Sequence, residues 1–221
     1  MASILESFVI ESQEYGKSFR IDLVEGLDED HIKYIDDQWM PPIKRLYNKA
    51  ILHYFTQPLA LQTDATFVEI LGKLGIPDQH WNWRRKCGVA PGANRKVYGL
   101  LNADHVEAAM MLLFGKSTRG TPAGLPIVYV DYIAVAPWNR RAIQDPERFR
   151  KLGTVMLGTA VAVSRTLGLD GRCGLHSLQT SEGFYRRIGM KDLDIDPTYH
   201  NLRYFEFDAN SASTFVKTGA L

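Results

Sequence analysis

Cysteine is scarce in this chain. Two residues in 221, Cys87 and Cys173, offer neither a metal-ligand spacing nor a disulfide framework, so a reducing compartment is the simpler reading. No apolar run approaches the roughly 18 residues of a membrane span. The opening stretch "MASILESFVIESQEYGK" lacks the basic and long apolar regions of a signal peptide. A soluble, cytoplasmic protein without a membrane partner is therefore expected. Charge of one sign is not in excess: 26 Lys+Arg against 25 Asp+Glu leave a formal +1, so no global field draws the chain to nucleic acid or lipid. Several catalytic signatures are missing too. "GKS" at 115–117 has Met110 and Met111 where a phosphate-binding loop wants glycine. No G-x-G-x-x-G, H-E-x-x-H or G-x-S-x-G occurs, and no P-C-x-x-C follows His105-Val106-Glu107. A nucleotide triphosphatase, Rossmann dehydrogenase, zinc deaminase or serine hydrolase has little support, and no metal site is expected.

What is present suits one domain spanning 1–221, with 45% hydrophobic and 23% charged residues and no internal repeat. "KSFRIDLVEG" (17–26) alternates as a first strand. Residues 28–55 read as helix, with Asp28 as N-cap and Pro41-Pro42 breaking it into two pieces. Residues 63–76 form a third helix, capped by Asp64 and ended by Gly75. "CGVAPGANR" (87–95) is loop. "KVYGLLN" and "HVEAAMMLLFG" are spaced as a hairpin, and "LPIVYVDYIAVAP" (125–137) is the clearest strand. Then come a helix from Gly153 to Leu167 with a stripe at Val155, Leu157, Val161 and Val163, a strand (171–178), a helix (180–189) and a strand (201–208). Residues 209–221 read as a frayed tail. The class is mixed α/β (α+β). Residues 28–95 form a helical and loop elaboration, and 96–208 carry the sheet.

"FRKLGTVMLGTA" (149–160) puts Arg150, Lys151 and a bare Gly153 at the mouth of a helix. A helix start exposes unpaired N–H groups with partial positive charge, and a glycine lets a ligand approach the backbone. At the carboxyl end of a strand this is a phosphate or pyrophosphate site. The other reading is a plain turn with a solvated basic pair.

The ordered set "YVDYIAVAP", "RKLGTVMLGTAVAVSRTLG", "GLHSL" and "SEGFYRRIGM" resembles the GNAT-type N-acetyltransferases over about residues 125–192, more weakly from about 96. The resemblance implies a mixed, partly splayed sheet flanked by helices, with acetyl-CoA as co-substrate in the splay. Arg150 and Gly153 fall on the first and fourth positions of the family's loop motif, with Lys151, Leu152 and Thr154 completing the amide cradle. Val155 holds the sixth position, where the family prefers Gly or Ala. Ile133 and Val135 fall where backbone groups would meet the pantetheine and the thioester. The link 138–149, with Arg140, Arg141 and Arg148, is longer than usual for the family. It is either a flap over the site or an exposed loop.

Acetyl transfer to an amine needs a proton acceptor, an N–H donor for the developing oxyanion and a proton donor for the thiolate. Strand alternation would put Asp131 on one face with Tyr129, Ile133 and Val135, and the family often has an acid at this place. Asp131 is the candidate base, or the group that orders a basic water; otherwise it is a salt-bridged strand acid. Tyr132 would point the other way and pack. Tyr185 falls where the family often places its proton donor, on a helix whose Phe184 and Ile188 would face the core; the alternative is a core tyrosine. The Val135 amide is the expected oxyanion donor. "HWNWRRK" (80–86) could shape an acceptor pocket with Trp81 and Trp83, hold an RNA, or pack. His176 could line the site or be satisfied by a neighbour. The expected activity is N-acetylation of a primary amine on a small molecule or peptide by direct attack in a ternary complex. A non-catalytic CoA-binding regulatory module and an acetyltransferase of aminoacyl-tRNA are the alternatives. Oligomeric state, including a homodimer, stays open.

Overall fold

Eight strands line up in one sheet, in the order β1-β2-β3-β4-β5-β6-β8-β7. A computed structural model describes residues 2–88 and 94–218 of the chain. In chain order the elements are β1 (Ser3–Glu11), β2 (Ser18–Glu25), α1 (Glu29–Tyr34), α2 (Met40–Phe55), α3 (Asp64–Lys73), α4 (Trp83–Gly88), β3 (Arg95–Asn102) and β4 (His105–Ser117). They continue with β5 (Pro126–Val135), α5 (Leu152–Thr166), β6 (Cys173–Ser177), α6 (Glu182–Arg187), β7 (Lys191–Asp196), β8 (Leu202–Phe207) and α7 (Ala209–Lys217). Every neighbouring pair is antiparallel except β5 and β6. A parallel pair cannot be closed by a tight turn, so α5 makes the crossover between them.

Both faces of the sheet are covered. Leu152, Met156 and Leu157 of α5 and Phe215 of α7 pack on one face, in a core with Tyr98, Leu100, Met110, Leu112, Val128, Val130, Phe205 and Phe207. The other face packs α1 to α4 through Ile35, Trp39, Ile43, Ile70, Leu71, Ile76 and Trp83. Trp39 anchors that layer: it is fully buried, and its indole N–H donates to the Val106 carbonyl at 3.0 Å. Burying a side chain of that size, about 150–250 Å², stabilises the packing by roughly 4–6 kcal/mol at 25 cal/mol per Å². No helix among the described residues is long and apolar enough to cross a membrane.

Several expectations shift by a residue or an element. The sheet starts at β1, ahead of the strand expected first. β1 is an edge strand whose residues are mostly exposed, so it carries no apolar alternation to read. β7 is the other edge and is rich in acid. Thr63, not Asp64, caps α3, its side chain accepting from the Thr66 N–H. Pro41 and Pro42 sit in the first turn of α2, where no intrahelical N–H is needed, after a π turn at Ile35–Trp39. Cys87 and Gly88 belong to α4, and 89–93 of the expected loop lie outside the described residues. The expected frayed tail holds α7, fixed by a reciprocal capping box between Asp208 and Ser211 and by buried Ala212 and Phe215. The buried stripe of α5 runs through Leu152, Met156, Leu157, Ala160 and Val161, with Val155 and Val163 only partly buried.

Candidate active site

The β5–β6 pairing is short. It runs from Val128↔Cys173 to Val130↔Leu175 and then stops, although β5 continues to Val135. On its other side β5 stays paired to β4, through Ala108↔Val135. The Ala136 N–H donates to the Glu107 carbonyl at 2.9 Å, which makes that couple a bonded pair of the ladder. Bonded and non-bonded couples alternate along antiparallel strands. Val135, opposite Ala108, and Ile133, opposite Met110, therefore turn their N–H and C=O groups away from β4, toward the gap left by β6. The Val135 carbonyl is already used there: the Arg140 Nε donates to it at 2.9 Å.

A cleft of about 430 Å³ fills this gap. Ile133 and Val135 line one side, and the start of α5, with Arg150, Lys151, Leu152, Gly153 and Thr154, lines another. Lys151 takes a left-handed φ of 63° as N-cap and makes no side-chain capping bond. The Val155 N–H is the first to close an intrahelical bond, to the Lys151 carbonyl at 3.0 Å. The N–H groups ahead of it have no side-chain cap, and Leu152, Gly153 and Thr154, which carry them, line the cleft. A Cβ built at Gly153 would meet nothing within 4 Å, so the glycine leaves open space beside those amides. Arg150 is half-exposed and pairs with Glu147 at 2.9 Å. Val155 does not line the cleft, so the departure from the small-residue preference lies off its wall.

The roof comes from the helical elaboration. Gly72 of α3 lies against the Thr180 side chain, closely enough that any Cβ there would overlap it. Arg140 fixes the 138–149 link below this roof. Its guanidinium is bidentate to Asp78 at 2.6 and 2.8 Å and also reaches the Gly75 carbonyl at 3.0 Å. With side-chain exposures of 12% and 8%, this is a buried pair that ties β5 to the segment after α3. Arg140 is thus neither a solvated loop charge nor a free flap arm. Arg148 likewise pairs with Glu14 at 3.1 Å, and exposed Arg141 reaches Asp145 at 3.5 Å.

A second cavity of about 570 Å³ adjoins the cleft, and Trp81, Ile133, Leu178, Ser181 and Tyr185 line both. Asp131 opens into this second cavity and does not share the α5-facing side of β5 with Ile133 and Val135 as alternation implied. Met111 faces Tyr132 and the next residue, Leu112, faces Val130, so Asp131 is an extra residue, a β-bulge. The bulge shifts the alternation by one. Ile133 and Val135 pack toward α5, while Asp131 and Tyr132 both line the second cavity. Burial raises the Asp131 pKa, against the pull of Arg95, Lys86 and Lys116 and of the Tyr199 hydroxyl.

Tyr185 is more deeply set than its helix pattern suggested. It is 6% exposed, with its ring 5.6 Å from Phe205, while Phe184 and Ile188 are only partly buried. Burial raises its pKa, so the phenol holds its proton at neutral pH. Its hydroxyl makes no hydrogen bond among the described residues.

His176 lines the second cavity with its ring fixed at both nitrogens. Nε2 donates to Asp196 at 2.9 Å, and Nδ1 accepts from the Tyr129 hydroxyl at 2.7 Å. The Asp196 carboxylate can only accept, which sets this tautomer. Asp196 also accepts from Thr198 and pairs with Arg119. Burial lowers the His176 pKa, against the Asp196 bond that raises it, and Tyr199 stacks on its ring at 4.1 Å. Trp81 lines the cavity; Trp83 does not. Trp83 is 3% exposed, with Trp39 and Trp81 edge-on at 6.3 and 6.2 Å. Arg84, from the same basic stretch, is held by Glu29 and Asp36.

Lys86, Tyr129, Tyr132, Tyr199 and His200 also line the second cavity, and none of them was assigned a site role from sequence. Lys86 stood within "HWNWRRK" and Tyr129 and Tyr132 within "YVDYIAVAP", Tyr132 as a packing residue; Tyr199 and His200 come from the β7–β8 connection, which leaves no pattern.

No protein-family model and no curated protein matches the chain. Among solved structures it is similar to FeeM, an N-acyl amino acid synthase from uncultured soil microbes, at 10% identity, 89% of this chain, 95% of that one and a TM-score of 0.48. PaiA N-acetyltransferase from Thermoplasma acidophilum, in complex with coenzyme A, is 12% identical over 84% of this chain and 97% of that one, TM-score 0.45. A mutant AtaT toxin bound to the C-terminus of the antitoxin AtaR and acetyl-CoA is 13% identical over 64% and 81%, TM-score 0.41. On its own strand order, its parallel pair split beyond Val130 and Leu175, and the helix start beside that split, the chain has a GNAT-like fold.

Proposed function

We propose that the protein is an N-acetyltransferase that takes its acyl group from acetyl-CoA and passes it to a primary amine by direct attack in a ternary complex. The observation that carries this reading is the open edge of β5 beside the uncapped start of α5. Buried backbone groups need partners. The Ile133 N–H and C=O and the Val135 N–H would pair with the pantetheine amides and the thioester carbonyl as an added strand would. The α5 amides, with Gly153 leaving room and Arg150 and Lys151 adding charge, would hold the pyrophosphate. Bound there, the co-substrate supplies an activated acyl group.

The residues of the two cavities divide the remaining work. The amine enters the second cavity as an ammonium and must lose a proton before it attacks. Asp131, made more basic by burial, accepts that proton directly or through a water. The Val135 N–H stabilises negative charge on the carbonyl oxygen. Tyr185, which lines both cavities and keeps its proton, gives it to the departing thiolate. His176 is bonded on both nitrogens and shapes the wall.

A second reading, the same transfer to the amine of an aminoacyl-tRNA, is favoured by one feature. Arg95 and Lys116 act on Asp131, make no ion pair among the described residues, and would give the acceptor mouth a local basic rim. Binding of tRNA that weakens steeply with salt would support it. Calorimetry with CoA and a thiol-release screen over an amine panel test the main reading. Turnover with any amine excludes a purely regulatory CoA-binding module. A folded protein that gives no heat with CoA contradicts the proposal.

A further inference from the structure

One cation is already in the acceptor cavity. The Lys86 Nζ stands 3.1 Å from the centroid of the Tyr132 ring and 5.3 Å from that of Trp81. Lys86 lines the second cavity with Asp131, Ile133 and Tyr185, the last two forming part of the wall shared with the cleft. It makes no ion pair among the described residues. A half-buried ammonium held on aromatic faces, with a carboxylate acting across the same cavity, is what an amine acceptor would present there.

We propose that Lys86 is a site of self-acylation: its ε-amine occupies the acceptor position and takes the acyl group of a CoA thioester bound in the cleft. This rests on the functional reading above. The Lys86 nitrogen loses a proton to Asp131 or water and forms an N–C bond to the acyl carbon as the C–S bond breaks. The thiolate leaves as CoA thiol with a proton from Tyr185, and the second proton lost by the nitrogen after attack restores the Tyr185 phenol. The sum is an ammonium and a thioester giving an amide, CoA thiol and one released proton, with no redox step. An uncharged amide then replaces the cation on the Tyr132 face, so acylation changes the cavity's charge toward any other acceptor.

The electrostatics agree with the geometry. Burial pulls the Lys86 pKa down from 10.5 to about 8; Asp131 on β5 and Cys87 on α4 oppose this, and Arg85 on α4 adds to it. His80, in the same cavity, feels the Lys86 charge in turn. At a pH equal to that lowered value roughly half of Lys86 is free amine, against well under about 1% of an ordinary lysine. A less basic amine is also a weaker nucleophile, so an advantage of about tenfold over surface lysines remains.

The full-length protein is incubated with acetyl-CoA and no added amine, then weighed intact and mapped by peptide. The expected result is one acetyl group per chain on Lys86, matched by one equivalent of CoA thiol, at least about tenfold faster than on exposed Lys33, Lys44 or Lys49. Lys86→Arg should abolish both while CoA binding by calorimetry persists. CoA binding with Lys86 unmodified, or with acetyl spread evenly over exposed lysines, overturns the proposal and leaves the functional reading standing. No CoA binding at all removes both. A second readout needs no CoA: competitive labelling with an amine-reactive reagent over a pH series should show Lys86 reacting ahead of the surface lysines. Lys86 titrating together with them contradicts the proposal.

Discussion

Gly153→Glu should separate binding from folding. Gly153 is the second residue of α5, and a side chain there would leave toward open space. In a helix the change from glycine removes a penalty of about 0.8–1 kcal/mol. A carboxylate in the first turn adds about 0.3–1 kcal/mol against the helix dipole. For a chain of this size each kcal/mol moves Tm by about 2–4 °C, so the variant should melt no lower than the parent and up to several degrees higher. The same carboxylate would face the diphosphate. Two unit charges about 6 Å apart at an effective dielectric near 20 repel by about 3 kcal/mol. Salt screening reduces this and the second phosphate charge restores part of it. The expected loss of CoA affinity is about a hundredfold, read by calorimetry beside a thermal melt. A well-folded variant that binds CoA within about threefold of the parent refutes the placement of the anion at α5.

Asp131→Asn and Tyr185→Phe should each lower kcat by about a hundredfold or more, measured by thiol release. Burial raises the Asp131 pKa, so the ionised form is disfavoured in the folded protein; this stability is lost as pH rises from the unfolded value of 3.8 through the raised one. Asp131→Asn should therefore raise Tm at neutral pH while removing the acidic limb of kcat/KM; a lower Tm with an unchanged limb contradicts its role as base. Arg140→Met strands Asp78 as a buried charge and should cost about 3–5 kcal/mol, seen as a lower denaturant midpoint; an unchanged midpoint disproves the clamp. Asp208 is held down to about 2 from 3.8, burial working against the Lys191 contact and the Ser211 bonds. Its stabilisation is present above 3.8 and lost as pH falls through the lower value, so Asp208→Ala should flatten the acid-unfolding curve in that window and cost about 1 kcal/mol of capping.

The central run from β5 through α6 was legible because its signals are local. β5 has branched and aromatic residues stopped by Pro137, and α5 is bracketed by Gly153 and Gly168. The helix start proposed to hold the diphosphate was picked out by a basic pair and a glycine ahead of an apolar run. The second cavity was less legible, for reasons seen at single residues. "YVDYIAV" reads as unbroken alternation, so the extra residue at Asp131 is invisible until β4 is paired against it. β1 and β7 are edges, and α7 opens with polar residues, its apolar contacts coming only later at Ala212, Phe215 and Val216. Tyr132 was read as packing and does pack, edge-on to Trp81, but it is also the face on which Lys86 rests. Arg140 sat in a charged link that looks solvated; only the fold brings Asp78 to it.

The whole account depends on the β5 edge between Ile133 and Val135 accepting a CoA chain as its neighbouring strand. Backbone amide hydrogen exchange read at single residues, with and without CoA, tests this most directly. Marked slowing at Ile133 and Val135, together with the first amides of α5, is the predicted result. Exchange there that stays unchanged while CoA is saturating would contradict it.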